Sequence, residues 1–267
     1  MIGFGESFLA WIAATLLPAI AGLAIIVSAN KFVKEKYLAA FGFGIFLWFF
    51  VDTIGGSATL DVNSGFTGGL AQIAVVLLFI IGLLFFFSLD QNRDVFSPES
   101  AIGKYGMIIP LLVAVALGIH GLGEGWDYGH TAYVATSTNL IDAFGGLTAG
   151  FAYVLHKGLE PMMIGACYAV YAKGVAKTTA RRIKDILMMG IAFVLPSLLG
   201  AALGYFIPLD TTYFYGLGTG TSVYAAMRLA GPLFASTQSD KSKDAITIAL
   251  ALLLGFLAIY FAALFHS

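Results

Sequence analysis

The chain has 267 residues, 59% hydrophobic and only 11% charged, against roughly 25% charged in an ordinary soluble domain. A formal charge of -1 gives no basic surface for nucleic acid, and a single cysteine, Cys167, excludes an intrachain disulfide. What remains is a multi-pass protein of the cell membrane, stabilised by helix packing in the lipid bilayer.

A window of about 20 apolar residues crosses a hydrocarbon core of about 30 Å. Eight stretches pass that test, at roughly 8–29, 38–60, 68–89, 103–137, 140–172, 186–207, 212–235 and 245–265. They predict an all-α membrane protein with one transmembrane domain over 1–267. The first run follows Met1-Ile2-Gly3-Phe4-Gly5-Glu6, which lacks the basic flank of a secretory signal, so it is expected to stay as a span. Span two holds Asp52, where an unpaired carboxylate is costly; pairing with Lys157 or a place on an ion path both account for it.

Basic residues alternate along the chain. Lys31, Lys34 and Lys36 follow span one; Arg93 and Lys104 follow span three; Lys173, Lys177, Arg181, Arg182 and Lys184 follow span five; Lys241 and Lys243 follow span seven. The gaps after spans two, four and six hold none. Positive charge stays on the cytoplasmic side, which predicts an N-out, C-out chain. The other two basic residues are Lys157 and Arg228, the latter expected to snorkel to the inner interface.

Spans four and five are too long. About 35 residues at 1.5 Å each reach about 50 Å, so these helices are expected to tilt, kink or project. Breakers are available at Pro110, Gly118, Gly121, Gly123 and Gly125 in one, and at Gly158 and Pro161 in the other. Span six carries the small-residue run Ser197-Leu198-Leu199-Gly200-Ala201-Ala202-Leu203-Gly204, suited to close helix packing.

Near the middle of each long span a histidine precedes a glutamate by four residues: His120 and Glu124, then His156 and Glu160. On a helix that spacing stacks both side chains on one face. Two such helices face to face would gather two imidazoles and two carboxylates, a ligand set for Zn²⁺, Fe²⁺ or Mn²⁺ rather than Cu⁺, which prefers sulfur. A buried polar network joining two helices is the competing account of the same residues. No organic cofactor is expected. Lys157 adjoins the site; its ammonium either stands in for a second cation, making the site mononuclear, or reaches away to a carbonyl or a wet path. Along span five, Met163 and Cys167 lie inward, as a soft exit or as core packing. Asp142 lies outward, as an acidic mouth or a helix N-cap. Asp127 and His130 continue span four toward the outside as entrance residues.

These features together resemble the ZIP (Zrt/Irt-like) metal transporters. His120, Glu124 and Gly125 match that family's fourth-span signature, and His156 with Glu160 its fifth. Leu195-Pro196 through Gly204-Tyr205 is similar to its sixth span, and Gly220-Thr221-Ser222-Val223-Tyr224-Ala225-Ala226 to its seventh. Gly121 stands where the family offers an Asn or Ser oxygen, and Lys157 where it usually has a Glu joining two metals. The resemblance implies a 3+2+3 bundle with outer sets related as inverted repeats, a homodimer as a plausible assembly, and inward transport of a divalent cation. Ligands that compete with protons make uptake fall as the outside is acidified through the histidine range near pH 6.5. The rival reading of the same four residues is an intramembrane metal-dependent hydrolase, although no His-Glu-x-x-His motif is present.

Overall fold

The computed structural model describes residues 2–63, 69–172, 174, 178–236 and 242–264. The order is α1 (Phe4–Ala29), α2 (Glu35–Asn63), α3 (Leu70–Asp90), a single turn α4 (Pro98–Ala101), α5 (Ile108–Gly118), α6 (Gly121–Val134), a 3-10 turn (Leu140–Phe144), α7 (Leu147–Leu159), α8 (Pro161–Tyr171), α9 (Thr179–Gly204), α10 (Thr212–Ser236) and α11 (Ser242–Ala263). No strand occurs among the described residues.

Among the described residues five helices are long and apolar enough to cross a bilayer: α1, α2 over Glu35–Ser57, α3, α9, and α11 over Asp244–Ala263. The pair α5 and α6, bent by 40°, makes a sixth when taken as one broken span. Their outward faces are greasy. Leu17 is 64% exposed and Leu254 62%, an arrangement that lipid favours and water penalises. The chain is therefore an all-α protein of the multi-pass membrane type.

The two long predicted spans are each divided. Over 103–137 the helix starts only at Ile108, bends 40° between Gly118 and Gly121, and ends at Val134. Over 140–172 the opening residues form the 3-10 turn instead, because Gly145 (φ +77°) and Gly146 (φ +102°) adopt left-handed backbone that a continuing helix cannot use. Helix α7 then runs 13 residues and α8 11 residues, with Pro161 as the first residue of α8, where its missing N–H costs nothing. Neither segment is a 50 Å rod.

The ends of the bundle are chemically distinct. At one end Lys31 and Arg182 share a small pocket, Lys36 bonds Asp244 at 3.0 Å, and Lys104 bonds Asp94 at 3.0 Å. The Lys104 ammonium, with the Tyr105 hydroxyl, holds the Asp94 carboxyl below the usual carboxylate range. Lys173, Lys177 and Lys241 lie outside the described residues. At the other end neutral groups close the bundle: Tyr205 Oη donates to the Ile2 carbonyl (2.7 Å), Tyr128 Oη to Ser7 (3.0 Å) and Trp126 Nε1 to Ile207 (2.8 Å).

Between these ends α6 and α9 lie in backbone contact. A Cβ on Gly125 would sit 2.0 Å from the Ser197 carbonyl oxygen, and one on Gly200 would sit 2.2 Å from that of Leu122. The small-residue run on span six thus does pack closely. Gly125→Val is expected to force the two helices apart and cost about 1–3 kcal/mol. Thermal melting in detergent reads it, and an unchanged midpoint would show that the crossing tolerates bulk.

Arg228 does not snorkel. It is fully buried, with Nη2 and Nε (2.8 Å) on Asp90 Oδ2 and a further donation from Nη2 to the Arg93 carbonyl at 2.7 Å. Tyr224 Oη donates to the same Asp90 oxygen at 2.5 Å, and Tyr171 Oη to the Arg228 carbonyl at 2.9 Å. The carboxylate of α3 lies one turn from the basic end and offers the guanidinium a partner nearer than water, which inverts the expectation drawn from α10 alone.

Candidate metal centre

Helix α7 carries Tyr153, His156 and Lys157, and Glu160 caps its C-terminus in helical backbone, so one face presents all four. Opposite it, His120 occupies the break between α5 and α6, and Glu124 follows in the first turn of α6. His120 Nδ1 bonds the Leu117 carbonyl. A carbonyl only accepts, so Nδ1 carries a hydrogen, and Nε2 is the ring nitrogen that faces the cluster.

That nitrogen meets two further acceptors. It lies 3.1 Å from Glu160 Oε1 and 3.6 Å from Glu124 Oε1. Acceptors this close are stable only with a proton or cation among them. His120, Glu124 and Glu160 each offer one ligand atom within 4.8 Å of the others, the geometry of a possible metal triad. His156 stands outside that triad and reaches it through Glu160, whose Oε1 lies 2.9 Å from His156 Nε2.

Lys157 enters the same space. Its Nζ is 2.5 Å from Glu124 Oε2, 2.7 Å from Glu160 Oε2 and 3.2 Å from His120 Nε2. The lysine therefore turns inward rather than to a carbonyl, and pairs with these two glutamates. His120, His156, Lys157 and Glu160 are all buried, while the Glu124 side chain keeps 15% of its surface. Burying two carboxylates without cations would cost several kcal/mol each; the ammonium and imidazoles offset that.

Glu124 is exposed because it and His156 form part of the wall of a cavity of about 700 Å³. The cavity lies beside the Leu140–Phe144 turn, away from the basic end, and Asp52, Asp127 and Asp142 line it as well. Four carboxylates and no Lys or Arg among the described lining residues make it an acidic vestibule, whose field favours cations. The aromatic walls are Trp11, Trp48, Tyr128, Phe144, Tyr153 and Tyr215.

The remaining predicted residues fall into two groups. Asp52, Asp127 and Asp142 share this vestibule; the cap of the 3-10 turn is Asn139, whose side chain accepts from the Ile141 N–H. His130 is half-buried on α6 and is not among the residues lining the cavity. Met163 and Cys167 are fully enclosed in the apolar core with Phe49, Leu117 and Phe193, so they pack rather than line the vestibule.

Two contributors went unnoticed in the sequence. Tyr153 Oη reaches Glu124 Oε2 at 3.5 Å, and its ring lies 5.6 Å from Lys157 Nζ; its spacing of three and four from His156 and Lys157 was the available signal. Gly218 of α10 backs His120 so closely that a Cβ would fall 2.7 Å from the histidine Cβ. Only a tertiary contact reveals that. Gly218→Val is expected to displace His120 and weaken metal binding by about 10-fold or more, as loss of ligand support does. Calorimetric titration with Zn²⁺ checks it, and unchanged affinity would remove Gly218 from the site.

No protein-family model matches the chain, and no curated protein matches it.

Proposed function

We propose that the protein moves a divalent transition-metal cation, of the Zn²⁺, Fe²⁺ or Mn²⁺ class, inward across the cell membrane. The observation that carries this reading is the triad of His120, Glu124 and Glu160, with ligand atoms within 4.8 Å of one another, one of which, on Glu124, belongs to a residue lining an acidic vestibule. Nitrogen and carboxylate donors suit these ions. On this reading the vestibule beside the Leu140–Phe144 turn would be the way in, and the apolar core around Met163 and Cys167 would close the far side in this state, in keeping with alternating access.

On this reading α5 with α6 forms the fourth span, α7 with α8 the fifth and α10 the seventh, giving eight crossings with both termini outside. The resemblance to ZIP transporters then extends to a 3+2+3 bundle. Asp52, Asp127 and Asp142 would draw the ion in, and the aquo ion would exchange water for carboxylate as it descends.

Purified protein in liposomes tests the proposal, with Zn²⁺, Fe²⁺ and Mn²⁺ offered in turn outside. Uptake above protein-free liposomes for at least one ion is expected. Fluxes equal to the protein-free control for all three would defeat it, and hydrolysis of lipid or peptide by the pure protein would favour the intramembrane hydrolase instead.

A further inference from the structure

We infer that Lys157 is a tethered cation that occupies the metal seat between transport cycles, so that metal and ammonium alternate on the same donors. This inference rests on the transport reading above and concerns how that one site is regulated. The ammonium does not sit beside the triad; it touches all three members, at 2.5 Å from Glu124, 2.7 Å from Glu160 and 3.2 Å from His120. A metal ion held by this triad would draw on the same two carboxylates and the same imidazole nitrogen, at about 2.0–2.2 Å. Two cations cannot hold them together, since like charges at such separations repel strongly in a buried site.

The ammonium must therefore withdraw when metal arrives, and its flexible four-carbon stem permits this where a guanidinium fork would not adapt as readily. The Tyr153 and Phe193 rings, 5.6 Å and 5.9 Å from Nζ, flank the ammonium with π faces. When the metal leaves, the lysine returns. Without it Glu124 and Glu160 would keep only the imidazoles and Tyr153 as partners, a state that resists crossing between outward- and inward-facing forms. A carrier without such a residue needs a counter-ion for that return step. This chain brings its own.

The test compares Zn²⁺ binding by the purified wild type with that of Lys157→Met, Lys157→Gln and Lys157→Arg, using calorimetry in detergent, followed by flux in liposomes. Removing the competitor is expected to tighten Zn²⁺ binding about 10-fold or more in the Met and Gln variants. A merely structural lysine would instead weaken binding when removed. Lys157→Arg, which keeps a cation but withdraws it less readily, is expected to bind Zn²⁺ about threefold or more weakly than wild type. Net Zn²⁺ uptake is expected to slow in the Met and Gln variants, while exchange of internal for external Zn²⁺ continues, because only the empty return step is impaired. Should Lys157→Met fail to fold, the Gln variant, which retains a donor to the carboxylates, carries the comparison. Equal or weaker Zn²⁺ binding by the neutral variants overturns the inference while leaving the metal site standing. Absence of Zn²⁺ binding from every protein, wild type included, overturns the metal-site reading and this inference with it.

Discussion

Glu160→Gln is expected to lower metal uptake by about 100-fold or more, the largest functional effect of any single change in the chain. Glu160 is the hinge of the cluster: Oε1 lies 3.1 Å from His120 and 2.9 Å from His156, and Oε2 lies 2.7 Å from Lys157. An amide of the same shape loses the negative charge that binds the ion, and its NH₂ group points a donor at one of those partners. Removing a group that merely orients a ligand already costs 10–100-fold in many metal sites, and loss of a ligand is expected at or beyond the upper end. His156→Ala, which acts on the triad through Glu160, is expected to cost about 10-fold. Initial rates of uptake into liposomes measure both. Glu160→Gln protein that transports within threefold of wild type would show that the ion passes elsewhere.

Arg228→Met is expected to destabilise the fold by about 3–5 kcal/mol, the typical cost of stranding one buried partner of an ion pair. Both Arg228 and Asp90 have fully buried side chains, so nothing from solvent replaces the lost guanidinium. Tyr224 would continue to donate to Asp90 Oδ2, and among the described residues only the half-buried Arg93, whose Nη1 lies 3.5 Å from Oδ1, would remain as a cation beside it. The change should appear as a lower thermal midpoint in detergent, with metal binding at the distant triad retained in the folded fraction. Exchanging both residues for apolar ones, as in Asp90→Leu with Arg228→Met, is expected to recover most of the loss, because no charge is then left buried. A single variant that melts with the wild type would mean that water reaches Asp90 in solution.

Composition and spacing determined a good deal by themselves. A chain with 59% apolar residues in long runs can satisfy its backbone in lipid only as helices, and helices are what the structure contains. The i, i+4 placement of His120 with Glu124 and of His156 with Glu160 likewise follows from helical pitch, whatever the partners. That these two faces meet, with His120 Nε2 3.1 Å from Glu160, matches the expectation from their equal depth. The excess length of spans four and five called for a tilt, a kink or a projection without choosing among them; the 40° bend around His120 and the left-handed pair Gly145-Gly146 are what the chain adopts.

Direction and partnership were decided only by the tertiary structure. A lysine's stem can carry its charge several ångströms either way, so the sequence left Lys157 open between a metal-like seat and an escape to water. The Glu124 and Glu160 carboxylates, 2.5 Å and 2.7 Å from Nζ, chose the seat. Arg228 read as a snorkelling residue because its own helix offers no carboxylate; the partner comes from α3, 138 residues earlier. Met163 and Cys167 share the helical phase of the ligands, yet α8 carries them into the core with Phe49 and Leu117. Periodicity along one helix sets which residues share a face, whereas what that face meets depends on chain segments remote in sequence.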